Sequence, residues 1–412
     1  MSSSTWASQM AQGGIFDTAN SAFGNANRIY VKYCSSDLWS GDVAASSATF
    51  NFAFRGARIV SAVMTALVEQ HGMSGPGNRL LFGGCSAGAI GAMNNLDAVA
   101  AQLASTGVEV KGLLDAAALV DIYPAAWPFS PDLIPLQTLV EELVYTIQPT
   151  FPASCAAKGY TGPAQWKCLW SAYRLPLVET PFFANAVQFD DFEIQYSTDN
   201  LGPSNPQQME FVNSFQPAFL NLINSLPPGS GVFSPTCLVH CLSGQNTYFE
   251  FYVNGETMSR CVIPTAAASP FSSHSLPFSP SALNAWYFDG QPTSVVSSCT
   301  GWACTAQCGV TSKGTPCNMA LSTKTQTCQA VSLPTTEADE PPPATEDAVQ
   351  LLPAAWYAQQ QAQEQQQGQV QQSEGSLSPA QQQQLQSVVQ QHQQQQGRRM
   401  LAAATRSCCG AE

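Results

Sequence analysis

Arg79-Leu80-Leu81-Phe82-Gly83-Gly84-Cys85-Ser86-Ala87-Gly88-Ala89-Ile90 is the stretch on which the fold turns. The apolar run Arg79 to Phe82 reads as a strand, and the Ala-rich apolar residues from Ala89 to Leu103 read as a helix. Between them Gly84-Cys85-Ser86-Ala87-Gly88 fits G-x-S-x-G, the pattern of a serine held at a sharp strand-to-helix turn. Such a turn strains the backbone at the serine, and side chains at the flanking glycines would strike the neighbouring strand or helix. It also aims the Ala87 N–H at a developing oxyanion, with the field of the following helix behind it. Five small residues can make a turn with no chemistry attached; the strand before and the helix after favour the chemical reading. A phosphate loop fits less well, because Gly83 to Gly88 lacks both the Lys-Ser/Thr of a P-loop and an acidic partner at dinucleotide-fold spacing.

Outward from the turn, Ile59, Val60, Val63 and Leu67 recur at helical spacing and Gly72 stops that helix, while Arg28 to Tyr33 reads as an earlier strand. Downstream come strands at Leu113 to Val120, Pro181 to Phe189 and Gly231 to Val239, and a helix over Phe211 to Leu226 bent at Pro217. Strands alternating with helices predict an α/β fold, a mostly parallel sheet with helices on both faces. Ile122 to Glu179 interrupts the rhythm with Pro, Trp, Cys155 and Cys168, and reads as a lid insertion over the sheet's C-terminal edge. The expected organisation is a single α/β domain over 1–308, a Cys-containing extension over 309–333, and a Pro-rich linker with a disordered Gln-rich tail over 334–412.

The formal net charge of −13, with only 15 Lys+Arg, argues against a nucleic-acid partner, since phosphate binding needs a basic face. No stretch reaches the roughly twenty apolar residues of a membrane span. The 14 cysteines, most of them between Cys237 and Cys328, point to disulfides made in an oxidising compartment. Zinc is the rival, but no Cys-x-x-Cys pairs or His ligands at finger spacing accompany Cys304 and Cys308. Met1 to Asn20 shows no leader-like apolar run, and the sequence has no Asn-x-Ser/Thr acceptor.

A serine needs a base, and the four histidines are His71, His240, His274 and His392. His71 closes a helix at the far end of the strands, His274 lies in a Ser/Pro loop and His392 in the Gln-rich tail. His240 directly follows a predicted strand, where a loop would lift it toward Ser86. The carboxylate that would fix its tautomer is Asp190, at the end of another strand, with Asp191 as the alternative on the opposite side. Asp97, Asp115 and Asp121 are further competitors that fit caps or sheet edges better. The order Ser86, Asp190, His240 is that of α/β-hydrolases. No cofactor or metal is called for.

These blocks resemble the pectin acetylesterase and Notum family. Asn27-Arg28-Ile29-Tyr30-Val31-Lys32-Tyr33-Cys34 with Ser40-Gly41-Asp42 looks like its first block. Gly84 to Gly88 resembles the nucleophile block, and Val187-Gln188-Phe189-Asp190 the acid block. Cys237-Leu238-Val239-His240-Cys241 is similar to the plant-type base block, and Trp286-Tyr287-Phe288-Asp289 with Cys299, Cys304 and Cys308 to the C-terminal end. The resemblance implies a secreted, monomeric serine carboxylesterase that removes O-acetyl groups from cell-wall polysaccharide such as pectin. In the Notum branch it implies a protein O-deacylase instead. Ala89 stands where the family usually has a second Gly. The family also carries a Gly-Gly-Gly-Trp-Cys segment upstream of its first block that supplies further oxyanion donors. The sequence is therefore expected to be truncated at its N-terminus, and a shell that binds glycan without catalysis is the third reading. Loss of one oxyanion donor costs roughly a hundredfold to a thousandfold in turnover.

Overall fold

The helix foreseen around Ile59 runs as α1 (Gly56–His71) and buries Val60, Met64 and Leu67 along one face. It ends where Gly72 takes a left-handed φ of 68°, a conformation that costs glycine nothing. Next come β1 (Arg79–Cys85), α2 (Ala87–Leu103) and β2 (Glu109–Asp115). The two strands are parallel and in register from Arg79 opposite Glu109 to Cys85 opposite Asp115, so Ser86 leaves the sheet beside the end of β2.

The computed structural model describes residues 13–17, 21–122, 134–198, 202–244 and 282–307, with strand pieces at 252–253, 256–257, 262–263, 315–319 and 328–330. The predicted Gln-rich tail and linker, His274 and His392 lie outside the described residues. After β2 the chain forms α3 (Leu136–Ile147), α4 (Ala153–Ala157) and α5 (Ser171–Arg174), with Cys155 bonded to Cys168. This is the predicted insertion. Gln137 of α3 donates to Asp121 Oδ1 and to the Ile122 carbonyl, which ties it to the chain leaving β2 at the sheet's C-terminal edge.

The alternation then resumes with β3 (Phe182–Asn185), α6 (Asp191–Thr198), α7 (Pro206–Asn224) and β4 (Gly231–Ser234). Short strands β5 (Tyr252–Val253), β6 (Glu256–Thr257) and β7 (Val262–Ile263) precede α8 (Ala282–Asp289) and β8 (Ser294–Val296); β9 (Thr315–Met319) and β10 (Cys328–Ala330) close the series. The main sheet runs β1-β2-β3-β4-β8, parallel throughout. Its two faces are separated by the strand period of two. Leu114, Phe182 and Val232 pack with Met93 and Leu96 of α2 and with Phe215 and Phe219 of α7. Their neighbours Leu113, Phe183, Phe233 and Val295 pack on the other side with Leu283 and Trp286 of α8. Each fully buried Phe contributes about 1.5–3 kcal/mol against exposure.

Five local readings are corrected. Arg28 to Tyr33 belongs to no strand, and Ile29, Tyr30 and Val31 are 44%, 54% and 38% exposed. Among the described residues no ladder partner flanks the free edge of β1, so the segment's β-branched residues have no face to bury. The strand predicted at Leu113 to Val120 begins earlier and stops at Asp115; Ala117, Ala118 and Val120 reach the same core from a turn. Pro181 to Phe189 and Gly231 to Val239 each end early as strands, and beyond them the segments stay side by side through the Gln188 N–H to the Pro235 carbonyl and the parallel bridge of Phe189 with Leu238. The α7 helix starts at Pro206, earlier than its apolar pattern, because Asn205 Oδ1 accepts the Gln208 N–H and Pro206 takes the first turn.

Candidate active site

Ser86 caps α2 with φ 56° and ψ −125°, a conformation an L-residue rarely adopts and one that costs roughly 1–3 kcal/mol. Its backbone is fastened on both sides: the Ser86 N–H donates to the Asp115 carbonyl at 3.0 Å, and its carbonyl accepts from Ala89 and Ile90 at 2.8 and 2.9 Å. A Cβ on Gly84 would lie 2.5 Å from the Gly88 backbone, so only glycine fits there. A Cβ on Gly88 would meet nothing within 4 Å, which corrects the expectation that both flanking positions are sterically forced. Ala87 opens α2, at the end of a helix where the leading N–H groups are left without intrahelical acceptors.

Two links bring the base to this turn. The bridge of Phe189 with Leu238 sets the residues after β3 beside those after β4, and a disulfide joins Cys85 to Cys241 with their Cα atoms 5.9 Å apart. The residue before the serine is thus covalently tied to the residue after the histidine. His240 Nδ1 lies 2.8 Å from both Asp190 oxygens. Asp190 Oδ1 also accepts from the Phe192 and Glu193 N–H groups at 3.0 and 3.3 Å, so the start of α6 holds the carboxylate in place. The ring of Phe192 tilts over the imidazole, centroids 5.3 Å apart, and is itself 42% exposed. His240 Nε2 is buried and makes no hydrogen bond among the described residues, to Ser86 or to any other group.

Burial disfavours the charged imidazole, but the hydrogen bond and charge of Asp190, then the charges of Asp191 and Asp115, outweigh it, and the His240 pKa is raised. Asp191 carries the alternative acid; it begins α6, and burial followed by the charge of Asp190 raises its own pKa. Asp190, Asp191 and His240 offer ligand atoms within 4.8 Å of one another, the one such cluster among the described residues. With Nδ1 bonded to Asp190, the pair is arranged to move a proton through Nε2.

The pectinacetylesterase family model matches residues 1–309. The chain belongs to the pectinacetylesterase family. Palmitoleoyl-protein carboxylesterase NOTUM of Drosophila melanogaster is 31% identical over 250 residues, covering 58% of this chain and 36% of its own length. Its human counterpart is 29% identical over 272 residues, covering 64% and 53%. The chain therefore spans between about a third and a half of the length of these curated relatives. The structure of the Wnt deacylase Notum from Drosophila superposes with a TM-score of 0.62 at 24% identity, over 75% of this chain and 82% of that one, a likeness of fold. The pectinacetylesterase domain is accordingly an α/β-hydrolase fold.

At this candidate site the sequence reading did not single out Phe192 or Glu193, and it set Asp115 aside as a cap or sheet-edge residue. Phe192 leaves no signal beyond its place two residues after Asp190. Glu193, fully enclosed beside Asp190, looks like an ordinary helix glutamate. Asp115 was visible as a strand-end carboxylate, but what it binds depends on a loop more than a hundred residues away. His71 is exposed at the end of α1, as expected of a histidine without a role in the site.

Proposed function

We propose that the chain is a serine carboxylesterase that removes O-acetyl groups from cell-wall polysaccharide such as pectin. The observation that carries the reading is the Cys85–Cys241 bond, which anchors Ser86 next to a histidine already paired with a carboxylate. Ser86 Oγ attacks the acetyl carbonyl while His240 Nε2 takes its proton, and the Nδ1–H bond to Asp190 stabilises the imidazolium. The Ala87 N–H donates to the oxyanion. Collapse expels the sugar alkoxide, which takes the proton from His240. Water, deprotonated by the same imidazole, then attacks the acetyl-Ser86 ester; collapse breaks its bond to Ser86 Oγ, which takes the proton back from His240, and acetate leaves. The hydroxyl-to-imidazole hydrogen bond forms when substrate closes the site, as often happens with catalytic bonds that are loose in free enzymes.

The working unit on this reading is residues 1–308, acting as a monomer because all three groups come from one chain, with 309–333 as an extension and 334–412 as a linker and tail. Disulfides at Cys85–Cys241, Cys155–Cys168 and Cys299–Cys304 support a secreted location. No described helix is long and apolar enough to cross a membrane. The test is acetate release from acetylated pectin by wild type and Ser86→Ala; equal release by the two ends the proposal. The names of the NOTUM relatives favour a second reading, removal of a long acyl group from protein. A chain-length series of p-nitrophenyl esters separates them: turnover falling from acetate to longer acyl groups fits the first, and rising turnover the second.

A further inference from the structure

We infer that Asp115 is the positioning residue of this site, its carbonyl holding the turn that carries Ser86 and its carboxylate holding the loop that carries His240. The last residue of β2, it is wholly buried. On the nucleophile side its carbonyl accepts the Ser86 N–H at 3.0 Å. On the base side Oδ2 accepts the Leu242 N–H at 3.0 Å and both the N–H and the hydroxyl of Ser243 at 2.6 Å. Asn185, at the end of β3, donates its amide to Oδ1. One side chain thus gathers the ends of two adjacent strands and the two backbone N–H groups that follow His240 and Cys241.

A buried carboxylate is costly unless donors satisfy it. Every partner of Asp115 among the described residues is a neutral donor and none is a cation, so both oxygens act as acceptors, the pattern of the ionised form. Burial raises its pKa, and the four donated bonds, those of Ser243 foremost, offset only part of that rise. Fastening the loop alone would need only a neutral acceptor. Ionised, Asp115 also acts on His240 through its charge. The charged groups around that imidazole are Asp190 and Asp191 from the start of α6 and Asp115 from β2, and all three favour the imidazolium that forms when Ser86 gives up its proton.

The kinetic part of the test rests on the esterase reading, and the spectroscopic part does not. In the full chain, Asp115→Asn is expected to lower kcat on p-nitrophenyl acetate by about 10- to 100-fold with KM within about twofold. The acidic limb of its pH profile should move to lower pH, and the His240 imidazole, followed by NMR titration, should move with it. Ser243→Ala keeps the charge and removes one loop bond, so it should lower kcat by about 2- to 10-fold and leave the limb in place. If Asp115→Asn fails to fold, Ser243→Ala decides: reduced kcat supports the inference and wild-type kcat overturns it. A folded Asp115→Asn with wild-type kcat overturns it too, as does one whose turnover falls only with its folded fraction while His240 titrates unchanged. A wild type that neither hydrolyses esters nor is labelled at Ser86 by a fluorophosphonate fails the esterase reading instead, and the His240 titration then tests Asp115 alone.

Discussion

His240 is pulled two ways, by burial against its charge and by three carboxylates for it, and the carboxylates win. The neutral imidazole is the base, so kcat/KM should rise with pH along a limb lying above the ordinary histidine value of 6.5. Asp190→Asn should cut kcat/KM by about a thousandfold to ten-thousandfold and bring the limb down, measured on a small acetyl ester. For folding the sign is the same: the stabilisation from the raised pKa is whole below 6.5 and is lost as pH rises through the folded value. Glu193 is the second titrating group. It is fully buried beside Asp190, only its Oε1 has a partner among the described residues, the Val120 N–H, and burial raises its pKa well above 4.5. It binds its proton more tightly folded than unfolded, so stability falls as pH climbs from about 4.5 through the folded value. Glu193→Gln, which cannot ionise, should flatten that dependence in denaturant melts from pH 4 to pH 8; an unchanged slope would show that Glu193 is charged in the fold.

At the scale of elements, the link between β1 and the loop after β4 is covalent and closes a sequence separation of 156 residues. Replacing Cys85 and Cys241 by Ser should cost about 3–5 kcal/mol in denaturant unfolding, because the unfolded chain regains a long loop's freedom. Turnover per folded molecule should fall as well, since the loop carrying His240 then keeps only its hydrogen bonds, those to Asp115 and Asp190 among them, and loses its covalent tie to the turn at Ser86. Retained turnover per folded molecule would mean that the hydrogen bonds suffice. The same elements show where local pattern is a good guide. The α1 and α2 helices follow their apolar spacing and caps closely, whereas strand ends do not. A strand is defined by its partner, and Ala116 to Val120 keeps the apolar composition of β2 after the ladder has stopped. Arg28 to Tyr33 has the composition of a strand and no strand beside it among the described residues.

Across the whole molecule, the formal net charge of −13 sets how the chain meets its surroundings. If the substrate is acetylated pectin, itself a polyanion, like charges oppose encounter, and added salt should raise kcat/KM on the polymer until screening is complete near the Debye length of about 8 Å at physiological ionic strength. A neutral acetyl ester should show no such rise; equal salt profiles for the two would mean that the surface around the site is not repelling the polymer.

The sequence by itself determined the turn at Ser86, the alternation that makes a parallel sheet, the chain order of serine, acid and histidine, and the short lists from which the acid and the base come. These depend on neighbours within a few residues and on periodicity, which side-chain chemistry sets locally. Only the tertiary structure decided that Asp190 rather than Asp191 meets the imidazole, that Cys241 pairs with Cys85, that Gly84 and not Gly88 is sterically required, and that Asp115 joins the two halves of the site. Each of those depends on the distance between groups far apart in the chain, and that distance exists only once the strands have packed side by side.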